Sequence, residues 1–213
     1  MKKISIVDYG LGNIFSVNQA FEFFNEGKNK VVVTSSSAEI EASDFLVLPG
    51  VGAFKNAMNE IEARNLTLAI QNFALTERPL LGICLGMQIL ASASSEFGNH
   101  EGLNLIPGKV VHIGDENNDG SPRKVPVIGW KNINLSKSIP QDSILSSQQA
   151  IPLYHVHSYQ FVPLESEHVI ATYIHGDSEI TAAVQKGNII GCQFHPEKSG
   201  PNGLNIINEF LQL

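Results

Sequence analysis

Five residues, Gly82-Ile83-Cys84-Leu85-Gly86, constrain the fold of this chain more than any others. They follow the apolar run Pro79-Leu80-Leu81 and open the apolar-patterned stretch 85–93, so they read as a strand that turns at once into a helix. The central side chain of such a turn projects above the sheet, and glycines on either side relieve backbone crowding. This pattern asks for an α/β architecture, and the rest of the first half supplies it. Residues 4–8, 30–33, 45–48 and 79–82 read as buried strands. Residues 13–25, 51–64 and 66–75 read as helices; Val17, Ala20, Phe21 and Phe24 form one stripe of the first, and Gly27 follows its end. Strands alternating with helices imply a mostly parallel sheet covered on both faces.

From Gly108 onward the pattern changes to β-branched residues and prolines. Residues 109–113, 128–133, 153–159, 168–173, 182–186 and 189–194 read as strands, with turns such as Lys186-Gly187-Asn188 between them. These are expected to add antiparallel strands to the parallel core. Residues 115–121 form a polar loop, and residues 203–212 a closing helix. No repeat or low-complexity linker divides the chain, so residues 1–213 are expected to form one domain.

An apolar content of 43% indicates a folded chain, while a net charge of −7 without any Lys/Arg block excludes nucleic acid and anionic membranes as main partners. The N-terminus lacks the apolar core of a signal peptide, and no apolar run approaches the roughly 18 residues of a membrane span. Two cysteines are too few for a disulfide scaffold. A cytoplasmic protein with free thiols is expected.

The chemistry centres on Cys84. At the start of a helix its thiol meets unpaired N–H groups and the positive end of the helix dipole, which favour the reactive thiolate. The run 189–194 ends at His195, where the C-terminal end of a strand in an α/β sheet faces bound ligands. Paired with Cys84, His195 would serve as general base and acid, and Glu197 would fix its tautomer. Cys192, inside that run, is assigned to the core. The loop Leu48-Pro49-Gly50-Val51-Gly52 offers backbone N–H groups that can stabilise an oxyanion together with the N–H of Leu85. His155 and His157 share one face of a strand, but without a third ligand nearby in sequence they do not suggest a metal site.

Taken together these segments resemble class I glutamine amidotransferases, whose Cys-His-Glu triad releases ammonia from glutamine. Within that group the segments 7–13 (VDYGLGN), 49–54 (PGVGAF), 81–88 (LGICLGMQ), 108–111 (GKVV), 129–130 (GW) and 193–200 (QFHPEKSG) are similar to the glutaminase subunits of imidazole glycerol phosphate synthases. The resemblance covers nearly the whole chain. It implies a flavodoxin-like three-layer fold, and it implies no cofactor or metal. Cys84, His195 and Glu197 match the triad, and Gly52 and Leu85 the oxyanion hole. Gly50, Gln88, Glu96, Ser158 and Tyr159 match positions that bind L-glutamine, and Asn13, Trp130 and Lys198 match positions that face a partner. Two positions depart from the family near its partner-facing side: Val127 follows Pro126 where a histidine is usual, and His155 replaces an aromatic residue.

The chain has no Walker P-loop or second domain that would use ammonia, so a partner is expected. The resemblance implies the cyclase subunit, a (β/α)8 barrel, bound as a heterodimer in histidine biosynthesis. It also implies weak glutaminase activity alone and activation through the loop 49–52. Three alternatives remain open on the sequence: a related subunit feeding a surface-sugar synthase, a stand-alone γ-glutamyl amide hydrolase, and a binding module that has lost catalysis.

Overall fold

The computed structural model describes the chain except residues 26, 28, 138, 142, 147 and 149. The first half runs β1 (Lys2–Val7), α1 (Ile14–Phe23), β2 (Asn29–Thr34), α2 (Ser37–Glu41), β3 (Phe45–Gly50), α3 (Phe54–Ala63), α4 (Thr67–Ala74), β4 (Leu80–Cys84) and α5 (Leu85–Gln88). The second half runs β5 (Ala93–Ser94), β6 (His100–Glu101), β7 (Gly108–His112), β8 (Val127–Asn132), β9 (Asn134–Leu135), β10 (Pro152–His157), β11 (Tyr159–Pro163), β12 (Val169–His175), β13 (Ser178–Lys186), β14 (Ile189–Cys192) and α6 (Gly200–Gln212).

The main sheet has the order β2-β1-β3-β4-β14-β13-β12-β9. Its strands from β2 to β14 are parallel, and those from β13 onward are antiparallel. This is the expected parallel core with antiparallel strands from the second half. The order has a chemical consequence. The chain's last strand, β14, lies directly beside β4, with Cys192 opposite Ile83, while Gly50 at the end of β3 lies opposite Cys84 on the other side. Segments distant in sequence therefore leave the sheet at the same carboxyl end of its parallel strands.

Alternate residues of the central strands enter two cores. Ile4, Ile6, Phe45, Val47, Leu81, Ile83 and Ile190 pack with α1 and α6 on one face. Leu46, Leu48, Leu80 and Ile189 pack with α3 and α4 on the other. Phe210 of α6 meets Phe21 and Phe45 edge-on, with centroids 6.2 and 5.4 Å away. Full burial of a side chain of this size contributes roughly 1.5–3 kcal/mol.

Several sequence-based boundaries shift for identifiable reasons. The helix expected over 85–93 is the single turn α5, because the carbonyls of Ile89, Leu90, Ala91 and Ser92 accept N–H groups from residues 102–106. Ala93 and Ser94 join a second sheet, β11-β7-β5-β6. The strand expected over 153–159 is two strands. Its first part, β10, pairs with β8, and β11 pairs with β7; the switch falls at Ser158, whose carbonyl accepts from the Ile113 N–H. The helix expected from residue 51 begins at Phe54, since Gly52 has φ +112 and cannot continue an α-helix. Asn13 caps α1 through its side chain, which accepts from the Ser16 N–H. The polar loop 115–121 is anchored by the buried Arg123, which reaches Asp177 at 2.6 Å. Among the described residues, no helix is long and apolar enough to cross a membrane.

Candidate active site

Cys84 ends β4 and carries φ +55 and ψ −108, a left-handed backbone that a side-chain-bearing residue seldom adopts. Close approach of chain segments enforces it. A Cβ on Gly86 would overlap the Leu48 carbonyl, and one on Gly82 would lie 2.6 Å from the Gly86 carbonyl oxygen. The elbow is therefore a steric device. With α5 reduced to one turn, any dipole effect on the thiol is that of one turn, less than the longer helix would provide.

His195 leaves β14 and is held by a different kind of contact. Its backbone N–H donates to the Tyr154 carbonyl at 2.9 Å. Its carbonyl accepts from the Ser199 hydroxyl at 2.7 Å, and that hydroxyl accepts from the Tyr154 N–H at 2.9 Å. The turn Pro196–Lys198 then folds Glu197 back, placing its Oε1 2.8 Å from His195 Nδ1. The two side chains are 2% and 1% exposed. A carboxylate only accepts, so Nδ1 carries the proton and Nε2 is left as the reactive nitrogen. Nε2 is buried and makes no completed hydrogen bond. Burial alone would lower the His195 pKa, but the hydrogen-bonding and charge influence of Cys84 and Glu197 outweighs it and raises the pKa to about 9. Cys84 thus influences the ring even though the geometry at Nε2 falls short of a formed bond.

A cavity of about 360 Å³ opens above the elbow, lined among others by Gly52, Cys84, Leu85, Gln88, Glu96, Ser158 and Tyr159. The structure thus brings together every sequence-predicted oxyanion and glutamine-site position except Gly50, which lies beneath it at the end of β3. A larger hollow of about 670 Å³ beside α3 and α4 has no cysteine in its lining. Glu96 has a second task, since its carboxylate accepts from the Phe54 N–H at the start of α3. Gln88 donates to the Tyr159 carbonyl at 3.1 Å and to Gln193 Oε1 at 3.0 Å. Gln193 has no sequence-based role, yet its Nε2 lies 3.7 Å from the Cys84 sulfur. Its position two residues before His195 was the available signal, masked by the apolar run around it. Cys192 lies in the core, where burial and then the Glu197 charge push its thiol pKa up.

His155 and His157 are buried on β10. The Leu153 and Tyr159 carbonyls accept from their Nδ1 atoms at 3.0 and 2.8 Å, and the Tyr173 hydroxyl donates to His157 Nε2 at 2.9 Å. Desolvation, joined for His155 by the neighbouring His157, pushes their pKa values down to about 3 and about 4. The departures Val127 and His155 face inward, while Ile128 and Trp130 on β8 are exposed. Both unusual residues therefore lie beneath β8 and β10, not on the surface itself. Trp130 packs edge-on against Tyr154 at 6.0 Å, and Tyr154 binds Ser199 next to the exposed Lys198. Asn13 stands at the start of α1, which packs against the turn Pro196–Lys198.

Residues 5–213 match the glutamine amidotransferase class-I family. The chain is 44% identical to the imidazole glycerol phosphate synthase subunit HisH 1 of Legionella pneumophila (strain Paris), over 100% of both chains. It is 42% identical to the HisH subunit of Lactococcus lactis subsp. lactis (strain IL1403), covering 100% of this chain and 99% of that one. Among solved structures, a glutamine amidotransferase aligns with a TM-score of 0.72 at 15% identity, covering 98% of this chain and 97% of the other. A Thermotoga maritima glutamine amidotransferase aligns with a TM-score of 0.65 at 15% identity, covering 99% and 83%. These two structures support the fold alone.

Proposed function

This chain belongs to the class-I glutamine amidotransferase family, among the subunits of imidazole glycerol phosphate synthase, and from that premise we propose that Cys84, His195 and Glu197 hydrolyse glutamine in the cavity above β4. The chain is the glutaminase subunit of that synthase and serves histidine biosynthesis. The observation that carries the residue assignment is the convergence of the Cys84 elbow and the His195–Glu197 pair at the carboxyl ends of the adjacent strands β4 and β14, beside a cavity lined by Gly52 and Leu85.

The Cys84 thiolate attacks the side-chain carboxamide carbon of L-glutamine, forming a C–S bond. Backbone N–H groups of Gly52 and Leu85 stabilise the oxyanion, an effect of roughly 3–4 kcal/mol per donor. Protonated His195 gives its Nε2 proton to the departing nitrogen, and ammonia leaves as the C–N bond breaks. Neutral His195 then takes a proton from water, which attacks the thioester; glutamate leaves and the thiolate returns. Glu197 keeps the ring in the tautomer that both steps need. Gln88, Glu96, Ser158 and Tyr159 hold the substrate, and Gly50 fixes the floor beneath it.

Residues 1–213 act as one amidotransferase domain. The partner is the cyclase subunit, a (β/α)8 barrel, docked as a heterodimer against the rim that carries Asn13, Trp130 and Lys198. Docking there places the acceptor of ammonia beside its source, in a reducing cytoplasm that keeps the active thiol free.

The test is glutamate release by the purified chain, alone and with the cyclase subunit and its nucleotide ligand, with Cys84→Ala as control. Stimulation that disappears in the variant supports the assignment. Full turnover without a partner, or no stimulation by this cyclase, contradicts the partner assignment; turnover by Cys84→Ala contradicts the nucleophile.

A further inference from the structure

Gln193 is fully buried and touches the nucleophile, and its orientation follows from its neighbours. The Tyr159 carbonyl can only accept, so Gln88 must turn its amide nitrogen toward it. The second N–H of that nitrogen goes to Gln193 Oε1 at 3.0 Å. Gln193 then has only its own amide nitrogen to present to the Cys84 sulfur, at 3.7 Å. A backbone acceptor thus sets the direction of two side-chain amides, and the series ends with an obligate donor facing the reactive atom. The Val156 carbonyl, 4.0 Å from the sulfur, can accept only from a neutral thiol.

We propose that Gln193 is a further catalytic residue of glutamine hydrolysis, donating a hydrogen bond that holds the Cys84 sulfur in its anionic form and fixes its direction. This rests on the assignment of Cys84 as nucleophile. A hydrogen bond to the charged form favours that form, so Gln193 opposes the pull of the Val156 carbonyl toward the thiol. Because Gln88 lines the cavity, the same series of bonds connects the substrate site to the nucleophile. A buried amide serving only to fill space and satisfy Gln88 would not influence the reactivity of the sulfur.

The experiment uses the full chain and iodoacetamide, with modification at Cys84 followed by peptide mass spectrometry across pH. In Gln193→Glu a carboxylate faces the sulfur in place of the donor; Gln193→Met preserves bulk and removes the polar group. Both are expected to slow alkylation at neutral pH about tenfold and to move the rate profile to higher pH. In the glutaminase complex the loss is expected in kcat more than in KM. A folded variant with the wild-type alkylation profile overturns the proposal, and Gln193→Met decides the matter if Gln193→Glu fails to fold. Glutamine hydrolysis that survives in Cys84→Ala would instead overturn the nucleophile assignment, whatever the Gln193 variants do.

Discussion

The two ends of the catalytic pair are built by opposite means. In the first half of the chain, Cys84 is placed by exclusion: α5 lies so close to β3 and β4 that Gly86 and Gly82 accept no added atom, and the backbone at Cys84 is held at φ +55. In the second half, His195 is placed by attraction, through Tyr154, Ser199 and Glu197. Steric positioning fails all at once when crowded. Positioning by hydrogen bonds weakens one bond at a time. Substitutions at the two ends should therefore differ in kind as well as in size.

The largest effect is expected at the elbow. Gly86→Ala forces a methyl group into the Leu48 carbonyl, and because the clash is with backbone it should cost about 3 kcal/mol or more. Denaturant unfolding would show it, and wild-type stability would break the contrast. At the other end, Glu197→Gln should leave the fold intact but lower kcat by roughly 10²–10⁴-fold, because the wrong tautomer of His195 becomes accessible. A change within threefold would mean that the pair at 2.8 Å is merely structural. Ser199→Ala removes the link between the His195 carbonyl and the Tyr154 N–H and should cost about 1–2 kcal/mol of stability, with a smaller fall in kcat. Cys84→Gly should gain about 1 kcal/mol in unfolding free energy while abolishing turnover, since glycine accepts the left-handed backbone without strain.

Within the second half a finer contrast is available in pH. His155 and His157 have folded-state pKa values near 3 and 4, below the ordinary 6.5. Their neutral forms favour the fold above pH 6.5. As pH falls below it, the unfolded chain takes up protons that the folded chain refuses. Stability should drop by about 1.4 kcal/mol per pH unit for each of them until the folded pKa is reached. His155→Phe should remove about half of that slope in urea titrations between pH 6 and 4. His195 runs in the opposite sense: its raised pKa gives stability that is present below pH 6.5 and lost as pH rises through about 9. An unchanged acid slope in His155→Phe would show that the ring is not held neutral.

Steric placement was also the more legible of the two in the sequence. Glycines around a cysteine at a strand end announce an elbow, and short apolar runs mark the central strands as buried. The bonds that seat His195 are longer-range: Tyr154 and Ser199 are 45 residues apart, and no local pattern joins them. The glutamine-site positions came from family resemblance, and the cavity gathers most of them. The one-turn α5 was hidden because its termination depends on N–H groups from residues 102–106. The break at Ser158 was hidden for a related reason, since a strand that changes sheets keeps its local β pattern. Gln193 was overlooked because a lone amide in an apolar run acquires its role only through Gln88, 105 residues away.

The central claim is that these two differently built ends meet at one reactive sulfur, and a diazoketone analogue of glutamine tests it most directly. Incubated with the chain and its cyclase partner, the analogue should label Cys84 once per chain, as read by peptide mass spectrometry. Excess glutamine should protect the site, and Glu197→Gln should slow labelling. Labelling of Cys192, or none at Cys84, would contradict the account.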